Sequence, residues 1–253
     1  MYRVVVPARY GSTRLPGKPL LALAGKPMIQ RVYECARRSG AQQVIVATDD
    51  ERIARVARGF GAEVRMTADT LASGTDRVAA VAITERWADA EIVVNLQGDE
   101  PLMPEALIDQ VAAVLAGRPG TDIATLAVPL QSVSALLDPN VAKVVTDLQQ
   151  RALYFSRAPI PWSRDGAPGA LASQHSHAGA RRHLGIYAYR VSALRRIAAL
   201  APSEHELLEQ LEQLRALDHG MDIRVADAVV APGMEVNTPA DLAAIEAILA
   251  AHT

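Results

Sequence analysis

Short apolar runs rich in Val and Ile alternate with amphipathic stretches through the first half of the chain. The runs predict strands at residues 3–6, 43–47, 63–66, 91–96 and 122–128. Apolar residues at helical spacing predict helices between these strands, the last of them at residues 104–115. Repeated strand and helix units of this kind form a mostly parallel sheet covered by helices on both faces, so we expect an α/β fold. Ligands of such sheets bind beyond the carboxyl ends of the strands.

The second half of the chain has a different pattern of predicted elements. Strand-like runs at residues 142–146, 152–156 and 183–189 have no obvious helix between them, which predicts a smaller antiparallel extension or lobe. The remaining predicted elements are helices at 191–201 and 204–217, strands at 223–226 and 228–230, and a terminal helix from Pro239. The length of 253 residues fits one large domain or a domain with a subordinate lobe.

The composition excludes several classes of protein. Half of the residues are hydrophobic, 21% are charged and the net charge is −2, which predicts a soluble globular protein without a nucleic-acid or membrane-surface partner. No apolar run approaches the length of a membrane span. The single cysteine, Cys35, cannot form an internal disulfide, and we expect the reducing cytoplasm as the compartment.

The segment PARYGSTRLPGKPL, residues 7–20, follows the first predicted strand and carries Arg9, Arg14 and Lys18 among glycines and hydroxyl residues. Backbone N–H groups and fixed positive charge in such a loop favour a polyphosphate ligand. A Walker A loop is disfavoured because five residues separate the two glycines and a proline follows Lys18, and the G-x-G-x-x-G fingerprint is absent. An ordinary basic surface loop remains the alternative.

The segment VNLQGDEP, residues 94–101, is the second signal. Asp99 follows a buried strand and faces the predicted phosphate cradle, which suits a carboxylate that holds Mg²⁺ beside a nucleotide. The alternative for Asp99 is a helix cap or turn acid. Residues 47–50 (ATDD) and 73–77 (SGTDR) approach the same edge and either clasp a base and ribose or, for SGTDR, cap a helix.

Three side chains of the second half lie on predicted strands. Arg157 has the planar fork that binds a carboxylate, and it is accompanied by His183 and Tyr187. On spacing alone, His183 is a packed histidine rather than a catalytic one. The small, polar stretch at residues 163–180 is either a lid or a variable surface loop.

The segment LEQLR, residues 211–215, lies on a predicted helix. Glu206, Glu209 and Glu212 recur at every third position of this helix, which is typical of a solvated acidic face.

Taken together, the motifs PARYGSTRLPGKPL, QGDEP, YFSRAPIP, RHLGIY and LEQLR resemble those of the 3-deoxy-manno-octulosonate (KDO) cytidylyltransferase family, in the same order and across nearly the whole chain. The resemblance implies a single Rossmann-like nucleotidyltransferase domain over residues 1–253. Within it, residues 1–130 form the nucleotide-binding half, 131–190 the sugar-binding and dimerisation extension, and 191–253 the elements that complete the site. It also implies a homodimer that joins CTP to KDO with Mg²⁺ for lipopolysaccharide assembly in the Gram-negative cytoplasm.

The resemblance also assigns residues. The implied nucleotide-binding residues are Pro7, Ala8, Arg9, Ser12, Lys18, Ser73, Gly74 and Arg77. The implied sugar-binding residues are Gln97, Arg157, His183, Tyr187, Glu212 and Gln213. The implied catalytic residues are Arg14, Lys18 and Asp99, where the two cations offset charge on the departing pyrophosphate. The last two sugar-binding residues belong to LEQLR, so the resemblance changes the interpretation of that segment.

One position departs from the family pattern. The family usually has V-D-T-P, whose Asp is the second metal ligand, whereas this chain has V-N-T-P with Asn237. An Asn oxygen can ligate Mg²⁺ but brings no charge, so we expect Asp99 and Asn237 as metal ligands, with Glu235 or substrate oxygens supplying the missing charge. Transfer to another acid sugar, such as sialic acid or 8-amino-KDO, and CTP binding without turnover remain the alternatives.

Overall fold

The structure follows the expected alternation of strand and helix as far as Pro129. A computed structural model describes residues 1–11, 15–166 and 169–250. The strands are β1 (Arg3–Ala8), β2 (Ala22–Leu23), β3 (Lys26–Pro27), β4 (Val44–Thr48), β5 (Glu63–Met66), β6 (Ile92–Asn95), β7 (Ile123–Pro129), β8 (Lys143–Thr146), β9 (Ala152–Ser156), β10 (Arg181–Arg190) and β11 (Ile223–Asp227). The α-helices are α1 (Met28–Arg38), α2 (Glu51–Gly59), α3 (Gly74–Thr84), α4 (Glu105–Ala116), α5 (Val133–Leu137), α6 (Val191–Ala198), α7 (Glu204–Glu209), α8 (Gln213–Asp218) and α9 (Pro239–Ala250).

The central sheet has the strand order β11-β7-β10-β6-β1-β4-β5. The pairs β11-β7, β6-β1, β1-β4 and β4-β5 are parallel, whereas β10 is antiparallel to both of its neighbours. The hairpin of β8 and β9 attaches to the start of β10 through the pair Arg182 and Lys143. The expected antiparallel strand at 183–189 therefore exists but lies inside the main sheet, and only β8 and β9 form a side extension.

Helices cover both faces of the sheet, as the alternating pattern predicts. One face packs against α1, α2 and α4 through side chains such as Val32, Ile53 and Leu107. The other face packs against α3, α6 and α8 through side chains such as Val78 and Leu194. Successive residues of β1 belong to opposite cores, because neighbouring side chains of a strand point to opposite faces. The expected α/β fold with a mostly parallel sheet is confirmed.

Three details of the sequence-based prediction are wrong. The continuous helix expected at 204–217 is two helices, because Gln210 adopts the left-handed conformation (φ 52°, ψ 49°) and ends α7. The stretch 228–230 is a bend rather than a strand, and α5 was not expected. Nowhere in the described ranges does a helix have the length and apolar character needed to cross a membrane.

Candidate active site

A cavity of about 220 Å³ opens at the carboxyl edge of the parallel strands. It lies where the loops after β1 and β6 meet the start of α3, as expected for a parallel sheet. Its lining residues are Pro7, Ala8, Arg9, Lys18, Pro19, Leu71, Ala72, Ser73, Gly74, Arg77, Gln97, Gly98, Asp99, Glu212 and Asn237. The early cationic loop and the acid that follows β6 therefore share one cavity.

An ion pair joins these two loops. The Nζ of Lys18 lies 2.6 Å from Oδ2 of Asp99. Gly17 starts the short 3-10 turn that carries Lys18, and its positive φ of 69° suits a glycine. Asp99 does not cap α4, whose N-cap is Pro104, so its carboxylate belongs to the cavity rather than to a helix end.

The first turn of α3 forms another wall of the cavity. Ser73 caps the helix by accepting a hydrogen bond of 3.0 Å from the N–H of Asp76, and Ser73 and Gly74 both line the cavity. The helix cap expected in SGTDR is therefore confirmed at Ser73, and the same residue lines the cavity. A Cβ on Gly74 would lie 3.0 Å from Oε1 of Gln97, so a glycine here lets the Gln97 amide approach the helix.

Arg77 projects from the same helix into the cavity wall. Its guanidinium pairs with Asp49 at 2.8 Å and donates to the hydroxyl of Thr67. Asp50, which follows Asp49 in the sequence, caps α2 by accepting a hydrogen bond from the N–H of Arg52. Of the ATDD segment, Asp49 therefore holds Arg77 in place, whereas Asp50 has a structural role.

The acidic face expected on residues 204–217 is not solvated. Glu206 is buried and binds Arg215, and Glu209 accepts hydrogen bonds from the hydroxyl of Ser156 and the N–H of Arg157. Glu212 lines the cavity and accepts from the hydroxyl of Thr75 at 2.8 Å. The expectation of a solvated face is wrong because each carboxylate accepts a hydrogen bond from another element: Glu206 from α8, Glu209 from β9 and Glu212 from α3.

The two expected metal ligands lie in the same cavity. Asp99 and Asn237 both line the cavity, and the backbone between them is tied by a hydrogen bond of 3.0 Å from the N–H of Val236 to the carbonyl of Asp99. Gly233 packs directly against the backbone of Leu102. Among the described residues, no group of three or more His, Cys, Asp or Glu side chains is arranged to hold a metal ion.

The side chain of Glu100, the residue that follows Asp99, is buried. Burial, together with the neighbouring charges of Glu235 and Asp99, raises the pKa of Glu100 to about 8. Glu235 therefore stands close enough to influence Glu100, although it does not line the cavity.

Four of the expected sugar-binding residues do not line this cavity: Arg157, His183, Tyr187 and Gln213. The fork of Arg157 donates to the backbone carbonyls of Pro139, Glu209 and Gln210. Gln213 is buried, and its Nε2 has no hydrogen-bond partner within the described part of the chain.

His183 and Tyr187 form an aromatic cluster behind the cavity. The His183 ring lies 5.2 Å from the ring of Tyr187 and 4.9 Å from that of Phe155, measured between centroids, and its Nε2 is 2.9 Å from the hydroxyl of Thr125. Burial lowers the pKa of His183 to about 3, with a smaller contribution from Arg182, and burial raises the pKa of Tyr187. Both side chains are therefore uncharged at neutral pH.

Two expected site residues lie outside the described residues: Ser12, expected to bind the nucleotide, and Arg14, expected to act in catalysis. The sequence analysis missed four residues of the cavity lining: Pro19, Leu71, Ala72 and Gly98. Pro19, Ala72 and Gly98 are adjacent in sequence to an expected site residue, and Leu71 lies two positions before Ser73; this proximity is the only signal that the sequence offers.

Known proteins share the sequence pattern and the fold of this chain. A family model described as "Cytidylyltransferase" matches residues 3–223. The 3-deoxy-manno-octulosonate cytidylyltransferase of Pseudomonas syringae pv. tomato is 52% identical over 250 residues, which cover 99% of this chain and 98% of the relative. The chain belongs to the 3-deoxy-manno-octulosonate cytidylyltransferase family. The family member of Thioalkalivibrio sulfidiphilus is 51% identical over 250 residues, with 99% of each chain covered.

Solved structures agree with the assignment to this family. The structure of a CMP:2-keto-3-deoxy-manno-octonic acid synthetase complexed with CTP superposes with a TM-score of 0.89 at 41% identity, covering 100% of this chain and 99% of the other. A cytidylyltransferase of Leptospira borgpetersenii has a TM-score of 0.54 at 19% identity, over 94% of this chain and 78% of the other, and shares the fold. The resemblance stated from the motifs is thereby confirmed.

Proposed function

We propose that the chain transfers CMP from CTP to the anomeric hydroxyl of KDO, giving CMP-KDO and pyrophosphate. One observation carries the proposal: Arg9, Lys18, Ser73 and Gly74 share a single cavity with Asp99. A polyanion and a second substrate can meet there, and relatives at about half identity are named for this reaction.

The nucleotide lies, in this proposal, along the wall formed by residues 7–18 and the start of α3. Positive charge from Arg9 and Lys18, together with the N-terminal dipole of α3, favours the triphosphate. Arg77, held by Asp49, and the backbone of residues 7–8 complete the proposed nucleotide site. Ser12 and Arg14 join it on the motif alone.

The donor set of the cavity is compatible with Mg²⁺. Mg²⁺ prefers oxygen ligands and is commonly held by one or two carboxylates together with substrate phosphates. Asp99 supplies a carboxylate and Asn237 an amide oxygen, and both line the cavity. When bound, the ion supplies positive charge next to the triphosphate. We therefore propose Asp99 and Asn237 as the residues that hold it.

The sugar acid is proposed to bind at Gln97 and Glu212, next to the buried group of His183, Tyr187 and Gln213. The Nε2 of Gln213, which has no hydrogen-bond partner among the described residues, offers a donor to a hydroxyl or carboxylate, and neutral His183 contributes no charge. Arg157 is the proposed partner of the substrate carboxylate, although its guanidinium here binds backbone carbonyls.

The chemistry then depends mainly on positioning and charge. The anomeric hydroxyl attacks the α-phosphorus and gives up its proton to solvent, as the bond from that phosphorus to the pyrophosphate oxygen breaks. Lys18 and Arg14 offset the charge on the departing pyrophosphate. We assign no side chain as general base.

The setting of the reaction is also a proposal. We propose a homodimer that works in the cytoplasm and supplies activated sugar for lipopolysaccharide assembly. Leu153 on β9 and Leu207 and Leu208 on α7 are 55%, 65% and 74% exposed and are the candidates for burial against a second copy. Light scattering coupled to size exclusion tests the dimer.

Product identification tests the reaction itself. The protein is incubated with CTP, Mg²⁺ and, in separate reactions, KDO, 8-amino-KDO or sialic acid, and the products are resolved by ³¹P NMR and mass spectrometry. We expect CMP-KDO and pyrophosphate as the main products. A larger kcat/KM with another acid sugar would reassign the substrate, and CTP binding without any product would refute the catalytic proposal.

A further inference from the structure

The side chain of Arg215 on α8 is 5% exposed and lies outside the cavity. Its Nε and Nη2 donate to the two carboxylate oxygens of Glu206 on α7, at 2.7 and 2.6 Å. Its Nη1 donates to Oδ1 of Asp76 on α3 at 3.2 Å. One buried cation therefore joins three helices.

The link through Asp76 leads directly to the cavity. The second oxygen of Asp76 accepts a hydrogen bond of 2.8 Å from the hydroxyl of Ser73, and that hydroxyl in turn caps the N–H of Asp76. Ser73 and Gly74 line the cavity. Arg215 is thus two hydrogen bonds away from the wall at which the nucleotide is proposed to bind.

The pair of Arg215 and Glu206 also connects α8 and α7 to the proposed sugar site. The corner between α7 and α8 carries Glu212, whose carboxylate lines the cavity and binds Thr75. The carbonyl of Glu209 in the same corner accepts from Nε of Arg157 at 2.6 Å. A shift of this corner would displace Glu212 and release Arg157 together.

We propose that Arg215 is a positioning residue that fixes the nucleotide wall of the cavity relative to the corner carrying the sugar-binding residues. The inference rests on the proposed function for the identity of the two substrates. Reaction between two bound molecules is sensitive to their relative placement, and an error of about 1 Å can cost about 100-fold in rate. Arg215 holds the two walls in register without touching either substrate.

An arginine is required for this arrangement. The guanidinium presents a planar fork to Glu206 and still has Nη1 free for Asp76, whereas a lysine ammonium is a single point charge.

Arg215→Lys and Asp76→Asn separate positioning from stability. Lysine keeps a charge beside Glu206 but loses the bond to Asp76, and asparagine keeps the shape of Asp76 while removing its charge. Arg196→Met is the control, because it breaks an exposed ion pair with Asp122 of similar length, 2.9 Å. Steady-state kinetics with CTP and KDO, isothermal titration with CTP alone and thermal unfolding are measured for each variant.

We expect Arg215→Lys and Asp76→Asn to melt within about 4 °C of wild type and to lose about tenfold or more in kcat/KM. The KM for CTP or KDO should rise, which a loss of folded protein alone does not produce. The double variant should be no worse than the poorer single variant, since both changes break one link. Arg196→Met should match wild type.

Unchanged KM values in both single variants, or losses that multiply in the double variant, would overturn the inference. Titration with CTP keeps this result separate from the proposed function. If wild type makes no CMP-KDO, the proposed function fails, and the inference still predicts weaker CTP binding in Asp76→Asn and Arg215→Lys but not in Arg196→Met. Equal CTP binding in all three variants would then refute it.

Discussion

Replacing Gly233 with alanine tests how closely the segment that carries Asn237 must approach Asp99. A methyl carbon built on Gly233 would lie 2.6 Å from the carbonyl carbon and 2.7 Å from the Cβ of Leu102, and closer still to the Leu102 carbonyl oxygen. Favourable carbon–carbon contacts are about 3.5–4.0 Å. The segment therefore has to move by about 1 Å. The hydrogen bond from the N–H of Val236 to the carbonyl of Asp99 lies three residues further along this segment.

We expect Gly233→Ala to lower kcat/KM by about 10- to 100-fold, because that displacement separates Asn237 from Asp99. Overpacking should also lower the free energy of unfolding by about 1–3 kcal/mol. Pyrophosphate release at saturating CTP and KDO, titrated with Mg²⁺, and urea unfolding measure the two effects.

Gly59→Ala is the matched control for this variant. A Cβ at Gly59, the last residue of α2, meets nothing within 4 Å, so the control should keep wild-type kinetics and at least wild-type stability. Wild-type kinetics in Gly233→Ala, or equal losses in both variants, would refute the reasoning.

Three further substitutions test the site. Lys18→Met should lower kcat/KM by about 100- to 1,000-fold and the free energy of unfolding by no more than about 1 kcal/mol. Its control is Lys26→Met, which breaks an exposed ion pair of 2.7 Å with Glu34 and should leave the kinetics unchanged. Because the pKa of His183 is about 3 when folded and 6.5 when unfolded, stability should fall by up to about 1.4 kcal/mol per unit as the pH drops from 6.5. His183→Gln should flatten that slope in urea unfolding at pH 4.5–6.5. Asn237→Asp adds a charge to the proposed metal site and should lower the Mg²⁺ concentration for half-maximal turnover; an unchanged Mg²⁺ dependence would contradict the proposed ligand role.

The sequence was sufficient to predict that the loop after β1, the start of α3 and Asp99 share one cavity. Strand β1 and strand β6 are continuous apolar runs, and parallel strands end at one edge, so the loops carrying Lys18 and Asp99 had to meet. The cap at Ser73 was visible for the same local reason, since hydroxyl residues favour helix starts. These predictions rest on short-range patterns.

What the sequence could not show depends on contacts between distant residues. The periodicity of Glu206 and Glu212 is the same whether they face water or a partner, and the partner of Glu212 is 137 positions away, at Thr75. The break at Gln210 lacks a glycine or proline signal, because a non-glycine residue takes the left-handed conformation there. The sequence pattern of β10 predicts a strand, but it does not show that this strand pairs with β6 and β7.

The position of β10 between β6 and β7 has a consequence for biosynthesis. When β7 leaves the ribosome, the edges of β6 and β7 that will accept β10 have no partner, because that strand is still to be translated. At about 5–20 residues per second, translation of the 61 residues from the end of β7 to the end of β10 takes about 3 to 12 s. The nascent chain therefore exposes two apolar strand edges in the middle of its future sheet, and we expect chaperone contact during this interval.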